Sequence, residues 1–344
     1  MKAQVLTGIN QMEMVDVDVP VIQNPTDVLL KIEVLGVCGS DVHYYETGRI
    51  GSQIVQYPYR VGHECSATVV EVGSEVKNFK PGDLVAVDPA GSCYNCDQCN
   101  IGRENTCRNL TFLGTPGSGD GCLCEYITMP AKSCYDVTGK LTPIQAALSE
   151  PFAIGLYAVL TAAGNNNSKI AILGSGPIGL SCMVAARAEG IEKIYMTDKI
   201  PARLEVAKKY GADFTANPDT ENIVESIMAV EPAGVDVVYE CAGQQSCLDE
   251  AVDLLRPGGK LVVIGIPRES RVSFSIDKIR RKEITIINIR RQNDTTQKAI
   301  DMLACGKADI DFFATHSFSF EDSKKAFDLV ARYEDSVVKA MIEF

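Results

Sequence analysis

The sequence predicts an α/β fold in which a β-rich part is followed by a doubly wound parallel sheet. Residues 1 to about 145 combine β-branched residues with closely spaced Gly and Pro, which is typical of short strands joined by turns. From about residue 169, short apolar runs alternate with longer helical patterns, as they do in proteins with a parallel sheet. The length of 344 residues suits two domains at about 150 residues each.

The first part contains three clear strand patterns, at residues 27–41, 66–76 and 83–89. Gly and Pro residues separate these segments, so each strand ends at a turn and the chain reverses. A barrel-like or folded-sheet domain is the expected outcome. Hydrophobic residues make up 46% of the chain and charged residues 23%, which favours compact folding over disorder.

The second part repeats a strand–helix pattern. Apolar strand segments occur at 169–174, 191–198, 235–243 and 260–267, with helical segments at 177–190, 201–212 and 246–259 between them. Strands that are apolar on both faces and alternate with helices predict a parallel sheet with right-handed crossovers. A strand at 284–289, two helical runs and a last strand at 336–344 complete the chain.

The net charge and the first residues of the chain indicate which partners and which compartment to expect. The formal net charge of −12 repels phosphate backbones and anionic lipid, so nucleic acid is an unfavourable partner. The first ten residues lack a basic cap with an apolar core, and no unbroken apolar run approaches about 18 residues. We therefore expect no membrane association and a cytoplasmic location. The thirteen cysteines, an odd number without a secretion signal, are expected to be reduced thiols.

A glycine-rich turn follows the strand at 169–173 and opens a helix. The turn consists of Gly174, Ser175, Gly176, Pro177, Ile178 and Gly179. This G-x-G-x-x-G pattern permits a tight turn, close approach of a pyrophosphate at Gly176 and close packing at Gly179. The next strand ends at Asp198, nineteen residues beyond Gly179, where a carboxylate can accept both ribose hydroxyls.

These features together predict a dinucleotide site, the alternative being a purely structural turn. A carboxylate at Asp198 repels a 2′-phosphate, so NAD is the expected cofactor. Arg203 is a further candidate for cofactor binding that would soften this preference, or else a solvated helix residue.

Two sets of side chains suit a metal ion. Cys93, Cys96, Cys99 and Cys107 can surround one zinc ion with four thiolates, which leaves no open position and predicts a structural site. Four unrelated buried thiols, or a redox switch, are the alternatives.

The second set is more dispersed. Cys38, His63 and Glu64 offer a thiolate, an imidazole and a carboxylate, a combination that leaves zinc an open position. A satisfied histidine and a small buried cysteine are equally compatible with the spacing alone.

The motifs together resemble the zinc-containing medium-chain alcohol dehydrogenases. The matching segments are CGSDVHYYETGRIG (38–51), GHE (62–64), GDLVAV (82–87), the four-cysteine lobe and GSGPIG (174–179). The resemblance covers essentially the whole chain and is strongest to the polyol branch, which holds the sorbitol and xylitol dehydrogenases. It implies a GroES-like catalytic domain at 1–150 and 286–344, with a structural-zinc lobe at about 90–110, and a Rossmann domain at 151–285.

The resemblance also implies roles for individual residues. Cys38, His63 and Glu64 would bind catalytic zinc, and Glu150 would reach the metal directly or through water. A charge at a helix N-terminus before Pro151 is the alternative for Glu150. Two zinc ions per subunit are implied, one catalytic and one structural.

Further positions match the relay and the substrate pocket of the polyol enzymes. Ser40 and His43 correspond to the proton relay, and the pocket positions are Tyr44, Phe112, Glu150 and Arg290. Backbone bonding, a surface position and core packing are the alternatives for the serine, the histidine and the aromatics respectively. Arg291 stands where the polyol enzymes have Tyr, and an added cation would favour a phosphorylated or acidic polyol.

The expected reaction is reversible, NAD-dependent oxidation of a secondary hydroxyl, at C2 of an alditol, to a ketose. A threonine, simple secondary-alcohol or diol dehydrogenase is the neighbouring alternative, and a non-catalytic NAD-binding thiol–metal sensor is the alternative from another class. The resemblance implies a small-molecule substrate and a homotetramer, with a homodimer as the alternative.

Overall fold

The computed structural model describes residues 1–162 and 168–344. The chain forms two compact units. The first unit consists of Met1–Glu150, Thr296–Gly306 and Ile310–Phe344, and the second of Pro151–Thr295 and Lys307–Asp309.

The strands and α-helices have the following bounds. The strands are β1 (Lys2–Gly8), β2 (Gln11–Asp16), β3 (Asp27–Gly36), β4 (Arg49–Ile50), β5 (Gln53–Ile54), β6 (Glu64–Val72), β7 (Leu84–Val87), β8 (Ala90–Gly91), β9 (Thr111–Phe112), β10 (Tyr126–Pro130), β11 (Cys134–Asp136), β12 (Lys169–Leu173), β13 (Lys193–Thr197), β14 (Phe214–Ala216), β15 (Val235–Glu240), β16 (Leu255–Val263), β17 (Thr285–Asn288), β18 (Ala314–Ser319) and β19 (Lys339–Glu343). The α-helices are α1 (Gly39–Thr47), α2 (Asp97–Asn100), α3 (Pro143–Ala162), α4 (Pro177–Ala188), α5 (Pro201–Tyr210), α6 (Ile223–Val230), α7 (Gln245–Leu254), α8 (Ile276–Lys282), α9 (Thr296–Ala304) and α10 (Ser323–Arg332).

The first unit is built on a folded sheet with the strand order β11-β7-β6-β3-β19-β18. Strand β10 pairs with the first half of β3, and β19 pairs with the last three residues of β3. Strand β3 is the centre of this sheet, and its apolar residues Leu30, Ile32 and Leu35 are fully buried. Strand β6 runs antiparallel to β3, with Gly36 opposite Glu64. The end of β3 therefore lies beside the start of β6, where the three candidate metal ligands occur.

The second unit is a parallel sheet with the order β14-β13-β12-β15-β16-β17. Its strands are apolar and largely buried, so the predicted doubly wound parallel sheet is confirmed. Strands β12 and β15 are neighbours although five elements separate them in the chain, which makes their carboxyl ends the switch point where such sheets bind ligands.

In the second unit the structure contains helix α8, which the sequence analysis did not predict, and it differs from that analysis at further places. Strand β14 and helix α6 were not predicted, because a three-residue strand and an eight-residue helix are too short for a clear pattern. Strand β16 begins at Leu255, earlier than predicted. The predicted return to the first domain at 286 falls inside β17, which pairs in parallel with β16, and the second unit continues to Thr295.

Helix α3 is long and apolar enough to cross a membrane by length and composition, and it is the one such helix in the described ranges. The sequence analysis counted unbroken apolar runs and missed it, since polar residues such as Ser149 and Glu150 interrupt the pattern. Within its most apolar window, 67% of the residues are buried inside the protein. A buried core helix meets the same criterion, so the length and composition of α3 are weak evidence for a membrane span.

Candidate active site

Cys38, His63 and Glu64 come together at the junction of β3, α1 and β6. Cys38 lies directly before α1, and the other two residues lie at the start of β6. One ligand atom of each residue lies within 4.8 Å of the others. His63 and Glu64 are 6% and 1% exposed, so these polar groups are withdrawn from water and need partners.

Asp41 is the partner of His63. It lies in the first turn of α1 and is fully buried, and its Oδ2 is 3.3 Å from His63 Nδ1. Its Oδ1 accepts a hydrogen bond of 3.2 Å from the Gly62 amide. Burial alone would lower the pKa of His63, but the charges of Asp41 and Cys38 outweigh burial and raise that pKa well above its usual value. Among the described residues Asp41 Oδ2 has no hydrogen-bond partner of good geometry, but it lies beside Nδ1 and is placed to orient the ring, as carboxylates commonly do around metal-binding histidines.

Lys339 is the partner of Glu64. The lysine lies on β19 and is 2% exposed, and its Nζ donates to Glu64 Oε2 at 2.5 Å and to the Val37 carbonyl at 3.3 Å. Gly36 makes room for this ion pair, because a Cβ at that position would lie 2.6 Å from Glu64 Oε2. Burial lowers the pKa of Lys339, but the charges of Glu64, Cys38 and Glu150 and the hydrogen bond to Glu64 together outweigh burial and raise it.

Glu150 is buried near the same charges. It is 6% exposed, and its Oε2 has no hydrogen-bond partner among the described residues. Burial raises its pKa to about 8, while the charge of His63 acts in the opposite direction. Glu150 lies in the middle of α3, which begins at Pro143, so the alternative of a helix N-terminal charge before Pro151 is wrong.

This donor set fits a zinc ion. Thiolate, imidazole and carboxylate are the ligands that zinc prefers, and three protein ligands leave the open position of a catalytic site. A buried carboxylate oxygen without a donor, as at Glu150, costs free energy unless a metal ion or a water approaches it. The residues therefore fit a zinc ion.

The predicted relay residues share one face of α1. Ser40 and His43 are three positions apart on the helix, and both are half-buried. The Ser40 hydroxyl donates to Cys38 Sγ at 3.3 Å, so it is already directed at the candidate metal site. Tyr44 is 3% exposed, and its hydroxyl donates to Gln53 Oε1 at 3.1 Å.

The other predicted pocket residues occupy different surroundings. The Phe112 ring packs on the His63 ring, with centroids 5.2 Å apart and an angle of 56° between the planes. Arg290 is exposed, and Arg291 is half-buried with a left-handed φ of 58°. The second unit contains both arginines, and the first unit contains the ligand set.

The four-cysteine lobe brings its sulfur atoms together. Cys93 and Cys107 are 3.4 Å apart at Sγ, Cys96 and Cys99 are 3.6 Å apart, and Cys96 and Cys107 are 4.0 Å apart. Four sulfurs at 2.3 Å from a tetrahedral zinc lie about 3.8 Å from one another, so the set matches zinc. Backbone hydrogen bonds, foremost from Asn95, lower the pKa of Cys93 to about 6, whereas burial raises the pKa of Cys99 to about 12, so the metal-free lobe favours the thiolate at Cys93 but not at Cys99.

The glycine-rich turn of the second unit is held by Asp198. The Ser175 amide donates to Asp198 Oδ2 at 2.7 Å, and the Ile200 amide donates to its Oδ1 at 2.8 Å. Arg203 lies against the turn and is 8% exposed, so the alternative of a solvated helix residue is wrong. Gly174 has a φ of 103°, which only glycine adopts readily.

The turn predicts opposite outcomes for two glycine substitutions. A Cβ at Gly176 meets only Arg203 Nη1 at 3.5 Å, an ordinary contact, so Gly176→Ala should fold normally. The added methyl would nevertheless occupy the path of a pyrophosphate, and we expect the Kd for NADH to rise about tenfold or more. A Cβ at Gly179 overlaps the Gly174 carbonyl, so Gly179→Ala should lose stability by about 1–3 kcal/mol.

Fluorescence titration with NADH and urea unfolding of both variants test this pair. Normal NADH binding by a folded Gly176→Ala protein would contradict the assignment of the turn to a nucleotide.

Sequence reasoning missed two residues of the site. Asp41 is three residues after Cys38, and an acid at that distance from a ligand cysteine was an available signal. Lys339 gave no signal, since it is 275 residues from Glu64 and its segment reads as an ordinary strand. Its position depends on β19 pairing with β3.

Comparison with known proteins agrees with this fold and site. A family model described as zinc-binding dehydrogenase matches residues 177–305, and one described as alcohol dehydrogenase GroES-like domain matches residues 24–139. Sorbitol dehydrogenase of Bacillus subtilis (strain 168) is 38% identical over 99% of this chain and 97% of its own length. L-idonate 5-dehydrogenase of Vitis vinifera is 36% identical, with 90% and 86% covered. Sorbitol dehydrogenase of Gallus gallus is 36% identical, with 93% and 90% covered.

Solved structures have the same fold. A zinc-binding dehydrogenase from Sinorhizobium meliloti 1021 bound to NADP has a TM-score of 0.91 at 30% identity, with 100% of this chain and 99% of that chain covered. An alcohol dehydrogenase from Escherichia coli CFT073 complexed with NADH has a TM-score of 0.92 at 29% identity, with 100% and 99% covered. Galactitol-1-phosphate dehydrogenase from Escherichia coli has a TM-score of 0.91 at 27% identity, with 100% of both chains covered.

The fold and the ligand set define a zinc-type dehydrogenase. The chain belongs to the zinc-containing medium-chain alcohol dehydrogenase family, with a GroES-like domain and a nucleotide-binding domain. Within the family it falls in the polyol dehydrogenase branch, beside the sorbitol dehydrogenases. The predicted resemblance is confirmed.

Proposed function

We propose that the protein is a zinc- and NAD-dependent polyol dehydrogenase that oxidises a secondary hydroxyl, at C2 of an alditol, to a ketose. The observation that carries this proposal is the buried Cys38–His63–Glu64 set, with Glu150 Oε2 unpartnered beside its charges. Two zinc ions per subunit complete the proposal, one at this set and one at the four cysteines.

When bound, zinc lowers the pKa of a substrate hydroxyl as a Lewis acid, and the nicotinamide accepts the hydride. Cys38, His63 and Glu64 hold the ion. Asp41 keeps His63 in one orientation and Lys339 does the same for Glu64.

The proton of the substrate hydroxyl leaves through α1 in this proposal. Ser40 Oγ would accept it, and His43, which lies on the same face of α1, would pass the proton outward through the cofactor ribose. Glu150 Oε2, which has no donor of its own, orients a water or the substrate hydroxyl. Phe112, whose ring lies against the imidazole, supports His63 and remains a predicted residue of the substrate pocket.

Asp198 supports NAD over NADP, because its carboxylate lies at the end of β13 and repels a 2′-phosphate. We expect Asp198→Ala to lower the ratio of kcat/KM for NAD to that for NADP by about tenfold or more. A hydrogen bond to a charged group is worth about 1.5–3 kcal/mol, and each 1.4 kcal/mol is tenfold. Steady-state kinetics with both cofactors measure the ratio.

Asp219→Ala is the matched control for this experiment. It removes an exposed carboxylate that pairs with Lys199 at 3.6 Å, so the local charge changes by the same amount. An unchanged ratio in Asp198→Ala, or an equal change in the control, would show that Asp198 does not select the cofactor.

An acidic or phosphorylated polyol is the second candidate substrate. Arg290 and Arg291 place two cations in succession, and relatives of this chain include an L-idonate 5-dehydrogenase and a galactitol-1-phosphate dehydrogenase. A guanidinium binds carboxylate and phosphate with paired hydrogen bonds, so either group would suit these residues.

NADH formation across a substrate panel tests both candidates. The panel holds sorbitol, xylitol, ribitol, galactitol, inositols, L-idonate, galactitol 1-phosphate, threonine and butane-2,3-diol. We expect turnover of an alditol or its acidic or phosphorylated form, loss of turnover after chelation, and recovery with added zinc. Full turnover by metal-free protein would overturn the proposal. The predicted homotetramer is a separate point, and light scattering of the same sample tests it.

A further inference from the structure

The chain that leaves the four-cysteine lobe packs along the segment that carries His63. We call residues 111–123 the lobe-exit segment and residues 60–63 the histidine segment. Both belong to the first unit, together with the two candidate metal sites. Their contacts fall into three groups: a ring contact, close backbone approaches and hydrogen bonds.

The ring contact joins Phe112 to the imidazole of His63. Phe112 is 8% exposed, and the centroids lie 5.2 Å apart. Phe112 is also the last residue of β9, which pairs with β8 so that Ala90 lies opposite Phe112. The ring that supports the histidine therefore sits on the two-stranded ladder through which the chain enters and leaves the lobe.

Two glycines bring the backbones of the segments together. Gly114 approaches so closely that a Cβ there would lie 2.9 Å from the Gly62 carbonyl oxygen and 3.1 Å from the Gly62 nitrogen. A Cβ at Gly121 would overlap the Val61 carbonyl. The backbones of the lobe-exit segment and the histidine segment are therefore in close contact at these two points.

Hydrogen bonds complete the connection. The Gly121 amide donates to the Arg60 carbonyl at 2.7 Å, the Cys122 amide to the Gly62 carbonyl at 2.9 Å, and the Leu123 amide to the Val61 carbonyl at 3.0 Å. The Arg60 Nε donates in return to the Gly121 carbonyl at 2.6 Å. Displacement of the lobe-exit segment would break bonds to Arg60, Val61 and Gly62, the three residues before His63.

The lobe contains little regular structure, although side-chain contacts such as the Arg108–Asp97 ion pair support it. Its helix α2 is four residues long and contributes no buried residue, and its closing ladder has two residues per strand. Such short elements are marginal alone, whereas four thiolates around zinc supply folding free energy to small lobes.

We infer that the two metal sites are energetically coupled: metal at the four cysteines fixes Phe112 and the lobe-exit segment against the histidine segment and thereby tightens metal binding at Cys38, His63 and Glu64. Coupling between two sites is reciprocal, so metal at the three-ligand site also retains metal in the lobe. This inference rests on the two metal sites of the proposed function.

Cobalt binding to the full-length protein tests the coupling. Metal is removed by chelation, one equivalent of zinc is restored to the lobe, and cobalt is then titrated into the three-ligand site. The visible absorption of cobalt reports its ligand geometry, and competition with a chelator gives its Kd. We expect Phe112→Leu to raise that Kd about tenfold and to alter the absorption spectrum, as loss of support around a ligand typically does.

Phe79→Leu is the matched control, since Phe79 is also 8% exposed and lies in the core of the same unit. It should change the cobalt Kd less than about twofold, by the additivity of distant sites. Equal Kd values in the two variants would overturn the inference.

A second pair of variants covers the lobe and the reciprocal effect. Cys99→Ser should empty the lobe and raise the cobalt Kd at the three-ligand site about tenfold, whereas His63→Ala should raise the Kd of the lobe for zinc by a similar factor. An unchanged cobalt Kd in Cys99→Ser overturns the coupling and leaves the proposed function intact. A failure of the unaltered protein to bind cobalt at the three-ligand site removes both.

Discussion

Cys38→Ser is expected to lower kcat/KM by at least about a thousandfold while the protein remains folded. The substitution replaces a soft thiolate with a hydroxyl that is a poor zinc ligand at neutral pH, and it removes the sulfur that accepts from Ser40. Lewis-acid stabilisation of a developing charge is worth several kcal/mol, and each 1.36 kcal/mol is tenfold in rate. Steady-state kinetics together with metal analysis measure the effect.

Cys134→Ser is the control for this substitution. Cys134 is a buried cysteine of the same unit, 6% exposed, that belongs to neither ligand set. It should keep its activity within about threefold, because a buried polar change affects stability before rate. A Cys38→Ser enzyme that kept one zinc at the three-ligand site and near-normal kcat/KM would contradict the proposed ligand set.

Lys339→Met is expected to destabilise the chelated, metal-free protein by about 3–5 kcal/mol at pH 7. The substitution leaves the Glu64 carboxylate buried without its cation, and removal of one partner from a buried pair typically costs this amount. Urea unfolding gives the difference. The free energy of unfolding of a protein is usually about 5–15 kcal/mol, so a loss of this size would leave the protein only marginally stable.

Two further variants separate the ion pair from side-chain packing. Lys324→Met removes an exposed partner of Asp328 and should cost at most about 1 kcal/mol. Addition of Glu64→Gln to Lys339→Met should restore much of the lost stability, because no buried charge then remains unpaired. If the double variant is as unstable as the single one, packing of the lysine stem and not the charge pair holds β19 in place.

The sequence predicted the parts of the site that lie in short, continuous motifs. The four cysteines span fifteen residues and the glycine-rich turn spans six, so spacing alone brings their side chains together. Cys38 and the pair His63–Glu64 are farther apart, and only the family resemblance joined them. The antiparallel pairing of β3 with β6 is the physical reason that they meet.

Partners brought in by tertiary structure were not predictable in this way. Lys339 reaches Glu64 across 275 residues, and Phe112, expected in the substrate pocket, packs on His63. The burial of Arg203 was likewise missed, because helix periodicity does not reveal what the glycine-rich turn covers. Long-range contacts of this kind depend on strand order, which a single sequence does not encode locally.

Asp198 both shapes the glycine-rich turn and is proposed to select the cofactor, which has a consequence for redesign. Its carboxylate holds the Ser175 amide and so shapes the turn before any nucleotide arrives. Removal of the acid in order to favour NADP would therefore also remove the hydrogen bond that shapes the glycine-rich turn. A neutral acceptor at position 198, such as asparagine or serine, would retain that bond and remove the repulsion, and conversion should begin from there.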